Sequence, residues 1–168
     1  MASKLRFLKT KMLTPLVILC IAAACTSPKE DTQVDHNIKA FTHVWDEIMN
    51  KRNLNMFNES NYTKNIIMHT RPPVVGIDRA REFYANYLTG FSDTEFTMKE
   101  TLAMGEKLAV YWNFRGTHTG LFFGIPATGR KVDIEGITLV RMENGKIAEE
   151  RDFLDNLEFM QQLGIIPK

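Results

Sequence analysis

Arg115-Gly116-Thr117-His118-Thr119-Gly120-Leu121-Phe122-Phe123-Gly124-Ile125-Pro126-Ala127-Thr128-Gly129-Arg130 lies between two segments whose apolar residues recur at every second position. Before it, Leu108, Val110, Trp112 and Phe114 share one face of a strand; after it, Val132 to Met142 reads as another. Alternation of this kind marks a half-buried β-strand, because successive side chains point to opposite faces. The glycines and the proline between them read as a hairpin over Leu121 to Gly129. His118, flanked by Gly116 and Gly120, falls where the strand bends into it. Working outward, Asn144-Gly145 is a hairpin signal leading to a last strand over Lys146 to Phe153. On the other side, Phe96, Met98, Glu100 and Leu102 form a strand that ends in a Gly105-Glu106 turn.

The first half of the chain has a different period. Ile38, Phe41, Val44/Trp45 and Ile48/Met49 recur at helical spacing, which predicts an amphipathic helix from about Asp35 to Lys51. Ile77, Ala80, Phe83/Tyr84, Tyr87/Leu88 and Phe91 predict a second, over Ile77 to Phe91. Between them, Tyr62 to Thr70 reads as a strand broken by Arg71-Pro72-Pro73, since proline fixes φ and lacks a donor. Glu158 to Leu163 is a short helical stretch. Helices first and hairpin-linked strands after is an α+β pattern rather than an alternating βαβ one.

The Gly116 to Gly129 signature, with Gly145-Lys146-Ile147, Asp152-Phe153-Leu154-Asp155 and Gln162-Leu163-Gly164, resembles the SnoaL-like polyketide cyclases, also called ester cyclases. The resemblance runs from about Ile38 to Ile166. It implies the nuclear-transport-factor-2-like fold: a curved antiparallel sheet wrapped around N-terminal helices into a cone. The wide end of a cone is a natural pocket. Dimerisation through the sheet is common in the family, so a homodimer is a candidate state here.

The N-terminus reads as a targeting segment. Lys4, Arg6, Lys9 and Lys11 precede a nearly unbroken apolar run, Leu13 to Ala24, which ends in small residues before Cys25. That run is short for a bilayer core of roughly 30 Å and has the flanks of a signal peptide. Ala23-Ala24-Cys25 resembles a bacterial lipobox, with Ala22 where leucine is usual. The expected organisation is a signal peptide over 1–24, a polar tether over 25–34 and one SnoaL-like domain over 35–168. Cys25 would carry the lipid, attaching the protein to a membrane of the cell envelope, with the outer membrane or surface favoured over the inner membrane. The chain has two cysteines, Cys20 and Cys25, so the body has no disulfide and is held by its core alone. Without the first 24 residues, 17 basic residues face 20 acidic ones, a charge of −3. That balance, with no Lys/Arg stripe, argues against nucleic acid as a partner. No glycine-rich phosphate loop and no Cys/His metal spacing occurs, so neither a cofactor nor a metal is expected.

Asp152 is the leading catalytic candidate. A carboxylate facing an apolar cavity has its pKa raised by desolvation, into the range of a general acid or base near neutral pH. The resemblance implies that role: the matching aspartate of the family acts as acid/base in an intramolecular aldol ring closure. The alternative is a structural ion pair with Arg115, Arg141 or Arg151. Glu150 shares a face with Asp152 on a regular strand, and two carboxylates in one dry space push one pKa up. His118, His69 and Thr138 are further candidate polar helpers, His118 having a loop-fixing alternative. Trp112, Phe114, Phe83, Tyr84 and Tyr87 are candidate cavity walls, and Phe122 and Phe123 a candidate cover. In the characterised cyclases, a Gln and a His stand beside the aspartate; the matching positions here are Gly136 and Thr138.

The expected ligand is a small hydrophobic carbonyl compound, turned over by proton transfer of cyclase or isomerase type. The alternatives are a non-catalytic lipoprotein that binds a ligand or partner, and a hydrolase in which Asp152 activates water.

Overall fold

The computed structural model describes residues 28–167; the signal segment, Cys25 and the first residues of the tether lie outside them. Helix α1 spans Pro28–Met49 and is followed by a 3-10 turn at Leu54–Met56. Strand β1 (Tyr62–Met68), the short β2 (Val74–Val75) and helix α2 (Ile77–Gly90) come next. Four long strands follow: β3 (Glu95–Met104), β4 (Lys107–Thr117), β5 (Lys131–Glu143) and β6 (Lys146–Leu154), and the short α3 (Asn156–Leu163) closes the chain.

The six strands form one sheet in the order β2-β1-β6-β5-β4-β3. The period-two pattern is realised most cleanly in β5. Val132, Ile134, Gly136, Thr138, Val140 and Met142 are buried, and the residues between them are exposed or half-buried. Against this inner face pack Phe41, Val44, Trp45, Ile48 and Met49 from one side of α1, with Tyr84 and Leu88 of α2. The outer face keeps apolar residues in the open: Ile137, Leu139 and Phe153 are each about half exposed.

Three details depart from the sequence reading. The sheet is mixed rather than wholly antiparallel, because β1 runs parallel to β6. Strand β2, beyond the proline pair, adds an edge on β1. Helix α1 starts at Pro28, so most of the expected tether is helical. Proline suits the first turn of a helix, where its missing N–H would have no partner anyway. The Gln33 amide donates to Asn37 Oδ1 one turn on (3.0 Å), and buried Asn37 donates to the Gly105 carbonyl (3.1 Å), tying α1 to the β3–β4 turn.

The signature loop is fixed from beneath by α2. The backbone N–H groups of Thr119 and Gly120 both donate to the Gly90 carbonyl at the end of that helix. A Cβ on Gly120 would lie 2.1 Å from the Thr89 carbonyl oxygen, so no other residue fits without a backbone shift. Gly120→Ala is therefore expected to cost about 1–3 kcal/mol, the range for overpacking a close contact. Urea denaturation would measure it, and an unchanged midpoint would contradict this role for the loop.

Candidate active site

Register builds the site. Strand β4 pairs with β5 so that Trp112 lies opposite Gly136, and β5 pairs with β6 so that Thr138 lies opposite Asp152. A Cβ on Gly136 would sit 2.4 and 2.5 Å from two carbons of the Trp112 ring. The indole thus occupies the place a side chain on β5 would take. Its Nε1–H donates to Thr138 Oγ1 at 2.8 Å. An indole nitrogen is donor only, so the threonine hydroxyl must accept there and turn its single proton elsewhere. That proton goes to Asp152 Oδ1, at 2.5 Å. The Tyr84 hydroxyl donates to the other oxygen, Oδ2, at 3.3 Å.

Asp152 stands at the mouth of a cavity of about 50 Å³ inside the cone. Close packing around it raises the carboxyl pKa above the ordinary aspartate value, while the hydrogen bonds from Thr138 and Tyr84 pull the other way. The last residue of β1 pairs with Glu150, so at Asp152 strand β6 no longer has β1 beside it, and the residue keeps an exposed surface. Water reaching that surface solvates part of the charge, so the rise is smaller than full burial would give. Arg115 pairs with Asp133, and Arg141 with Glu143 and Glu149, so neither neutralises Asp152. Arg151 points to the opposite face, beside Leu139 and Glu149.

Glu150 is the deeper carboxyl. It is 2 % exposed and accepts from Trp45 Nε1 at 2.9 Å. Burial, then the charge of Asp152, push its pKa up to about 8. Asp152 is the first of the pair to ionise, and its charge then holds the proton on Glu150.

The other candidates separate. Trp112, Phe114, Tyr84 and Tyr87 line the cavity. Phe83 does not; it packs on the outer side of Tyr84 and Tyr87, against Phe123. Phe122 is buried and Phe123 half-exposed, resting on Phe83 and Tyr87. His118 is buried away from the cavity, its Nδ1 3.1 Å from Thr128 Oγ1 and its ring against Phe91, which makes it a loop anchor. His69 follows Met68, whose side chain points inward, and so faces outward. There its Nε2 is 2.8 Å from Glu149 Oε2, on the far side of the sheet from Asp152. Neither histidine is a helper to the aspartate. The sequence reading missed Phe41, Trp45 and Met49, which add a third wall from α1, and Phe96 on β3. Their four-residue spacing on α1 was the available signal.

The model of the SnoaL-like polyketide cyclase family matches residues 39–163. The chain belongs to that family. Two aklanonic acid methyl ester cyclases, of Streptomyces peucetius and Streptomyces sp. strain C5, are each 47% identical over 58 residues. Those residues are 34% of this chain and 37% and 34% of the relatives, so the match spans about a third of each. Among solved structures, one of Jannaschia sp. CCS1, assigned as a SnoaL-like polyketide cyclase, superimposes with a TM-score of 0.73 at 25% identity. It covers 84% of this chain and 97% of that one. A nuclear-transport-factor-2-like protein of unknown function from Burkholderia pseudomallei shares the fold, with TM-score 0.63, 17% identity and coverage of 76% and 97%. Within this SnoaL-like domain, the polar partners of Asp152 come from Thr138 and Tyr84, with Trp112 behind the threonine.

The raised pKa of Glu150 has a consequence for stability. Between its ordinary value of 4.5 and about 8, the folded protein holds a proton that the unfolded chain has released. Stability from this group therefore falls as pH rises through that window. The urea midpoint is expected to drop between pH 5 and pH 8, and Glu150→Gln, which keeps an acceptor for Trp45, to flatten the drop. A variant with the wild-type slope would contradict a neutral Glu150.

Proposed function

We propose that this SnoaL-like protein is an acid/base enzyme acting on a small hydrophobic carbonyl compound, with Asp152 as the catalytic group. The observation that carries the reading is a carboxylate held by two hydroxyl donors at the mouth of an aromatic cavity, with no cation paired to it among the described residues. Such a group can take the proton from the carbon alpha to a carbonyl. The resulting enolate attacks a second carbonyl carbon of the same molecule, one C–C bond forms, and the new alkoxide takes the proton back from Asp152. Atoms and charge balance without a further reactant, which fits a cyclase or isomerase. The family and its cyclase relatives support this class of chemistry. Hydrolysis is less favoured, because Arg151 faces away from Asp152 and cannot complete an Asp-Arg-Asp network.

Asp152→Asn is expected to lower turnover of an enolisable ketone, followed as deuterium uptake at the alpha carbon, by about 10²–10⁴-fold. Its circular dichroism should be unchanged. The wild-type rate should rise with pH as Asp152 ionises, through a pKa above the ordinary aspartate value. A full rate in Asp152→Asn would overturn Asp152 as the catalytic group, and no uptake with the wild type would leave the non-catalytic binding reading.

We further propose that Cys25 carries a lipid that holds the domain at a membrane of the cell envelope. Small residues before a cysteine at the end of an apolar run support this. Cys25→Ala should move the protein from the membrane pellet to the soluble fraction; retention in the pellet would count against it.

A further inference from the structure

The cavity is small for the chemistry of its family. Ligand pockets for drug-sized molecules run to roughly 300–1,000 Å³, whereas this one is about 50 Å³. An engineered apolar cavity of about 150 Å³ takes one benzene, so the space here holds roughly two or three carbon atoms at similar packing.

Its walls are fixed as well as close. Trp112 rests on the backbone of Gly136 and is held through Nε1 by Thr138. Trp45 is held through its own Nε1 by buried Glu150. Phe96 stands between the two indoles, with ring centroids 5.7 Å from Trp112 and 6.0 Å from Trp45. Tyr84 meets Trp45 edge-on at 4.6 Å. Each tryptophan has spent its one donor on the protein, so the depth of the cone offers a ligand apolar surface and little else. Polar groups free to meet a carbonyl lie at the mouth, with Asp152.

We propose that the substrate is a short enolisable carbonyl compound with an unbranched apolar tail of about two or three carbons inside the cone. Trp112, seated on Gly136, sets that limit together with Phe96. A fused multi-ring compound does not enter. The inference rests on the carbonyl reading of this cavity, but it concerns size and is read from binding, so loss or retention of turnover does not decide it.

The test is a homologous series from pentane-2,4-dione to decane-2,4-dione, titrated into the full chain in mild detergent. Calorimetry gives the affinity, with tryptophan emission as a second reading, since both tryptophans of the chain line the cavity. The series is run on wild type and on Asp152→Asn. Affinity should rise about fourfold per methylene, the worth of burying one, up to heptane-2,4-dione, and then level or fall. The same cutoff is expected in Asp152→Asn. Phe96→Ala, which leaves the hydrogen-bonded chain intact, should carry the rise on by about two methylenes; Trp112→Phe should do so less. A rise that continues unbroken to decane-2,4-dione in wild type would overturn the proposal. So would tighter binding of anthraquinone-2-sulfonate than of heptane-2,4-dione, no saturable binding by any of the diketones, or a cutoff unmoved in both enlarged variants.

Discussion

Trp112 can lie across β5 only because Gly136 has no Cβ, and most of the site follows from that contact. The indole is brought down onto the strand, 2.8 Å from the Thr138 hydroxyl. Because it can only donate, it fixes which way that hydroxyl points, and the Thr138 proton is left for Asp152. One glycine thus determines a hydrogen-bond direction two residues along its own strand and one strand away. It also brings a large ring into the cone, which accounts for part of the cavity's small size. A side chain at position 136 would displace the ring and disturb the aspartate's partner and the cavity wall together.

Two effects oppose each other at Asp152 and one prevails at Glu150. Desolvation favours the neutral acid in both. Asp152 has two hydroxyl donors and a surface open to water, each of which stabilises its charge. Glu150 has one donor, Trp45, and its second oxygen is buried with no partner among the described residues. Ionising both would place two like charges on one face of β6, so the better-solvated group takes the charge. Environments that push the pKa values of two neighbouring carboxyls apart separate a base from a stored acid.

How far the sequence could be read depends on what sets each feature. The long strands and both main helices follow from alternation and helical spacing, which each segment carries in itself. The parallel pairing of β1 with β6 does not, since a strand's partner is chosen by tertiary packing. The start of α1 was hidden because a polar run reads as a linker until its side chains find partners, as Asn37 finds Gly105. His69 was lost to parity: one residue past an inward Met68 is enough to put it on the other face. Phe41, Trp45 and Met49 lay on a legible helix face, but a pattern does not distinguish core from cavity wall. Gly136 read as a missing side chain because a single strand gives no view of the neighbour that fills its place.

The absence of an imidazole beside Asp152 constrains the reaction as well as the geometry. A threonine hydroxyl held by an indole can stabilise a carboxylate, but it does not ionise near neutral pH and cannot store a proton as histidine can. Glu150 is bonded to Trp45 and has no hydrogen bond to Asp152, so the two acids are not joined by a direct bond. The proton that Asp152 removes therefore passes to no second side chain: it returns from Asp152 itself or exchanges with the water at its exposed surface. That suits a reaction in which the same molecule gives up a proton at carbon and regains it at oxygen. On the proposed reading, the environment of Asp152 suits isomerisation, ring closure included, on grounds independent of the family to which the domain belongs.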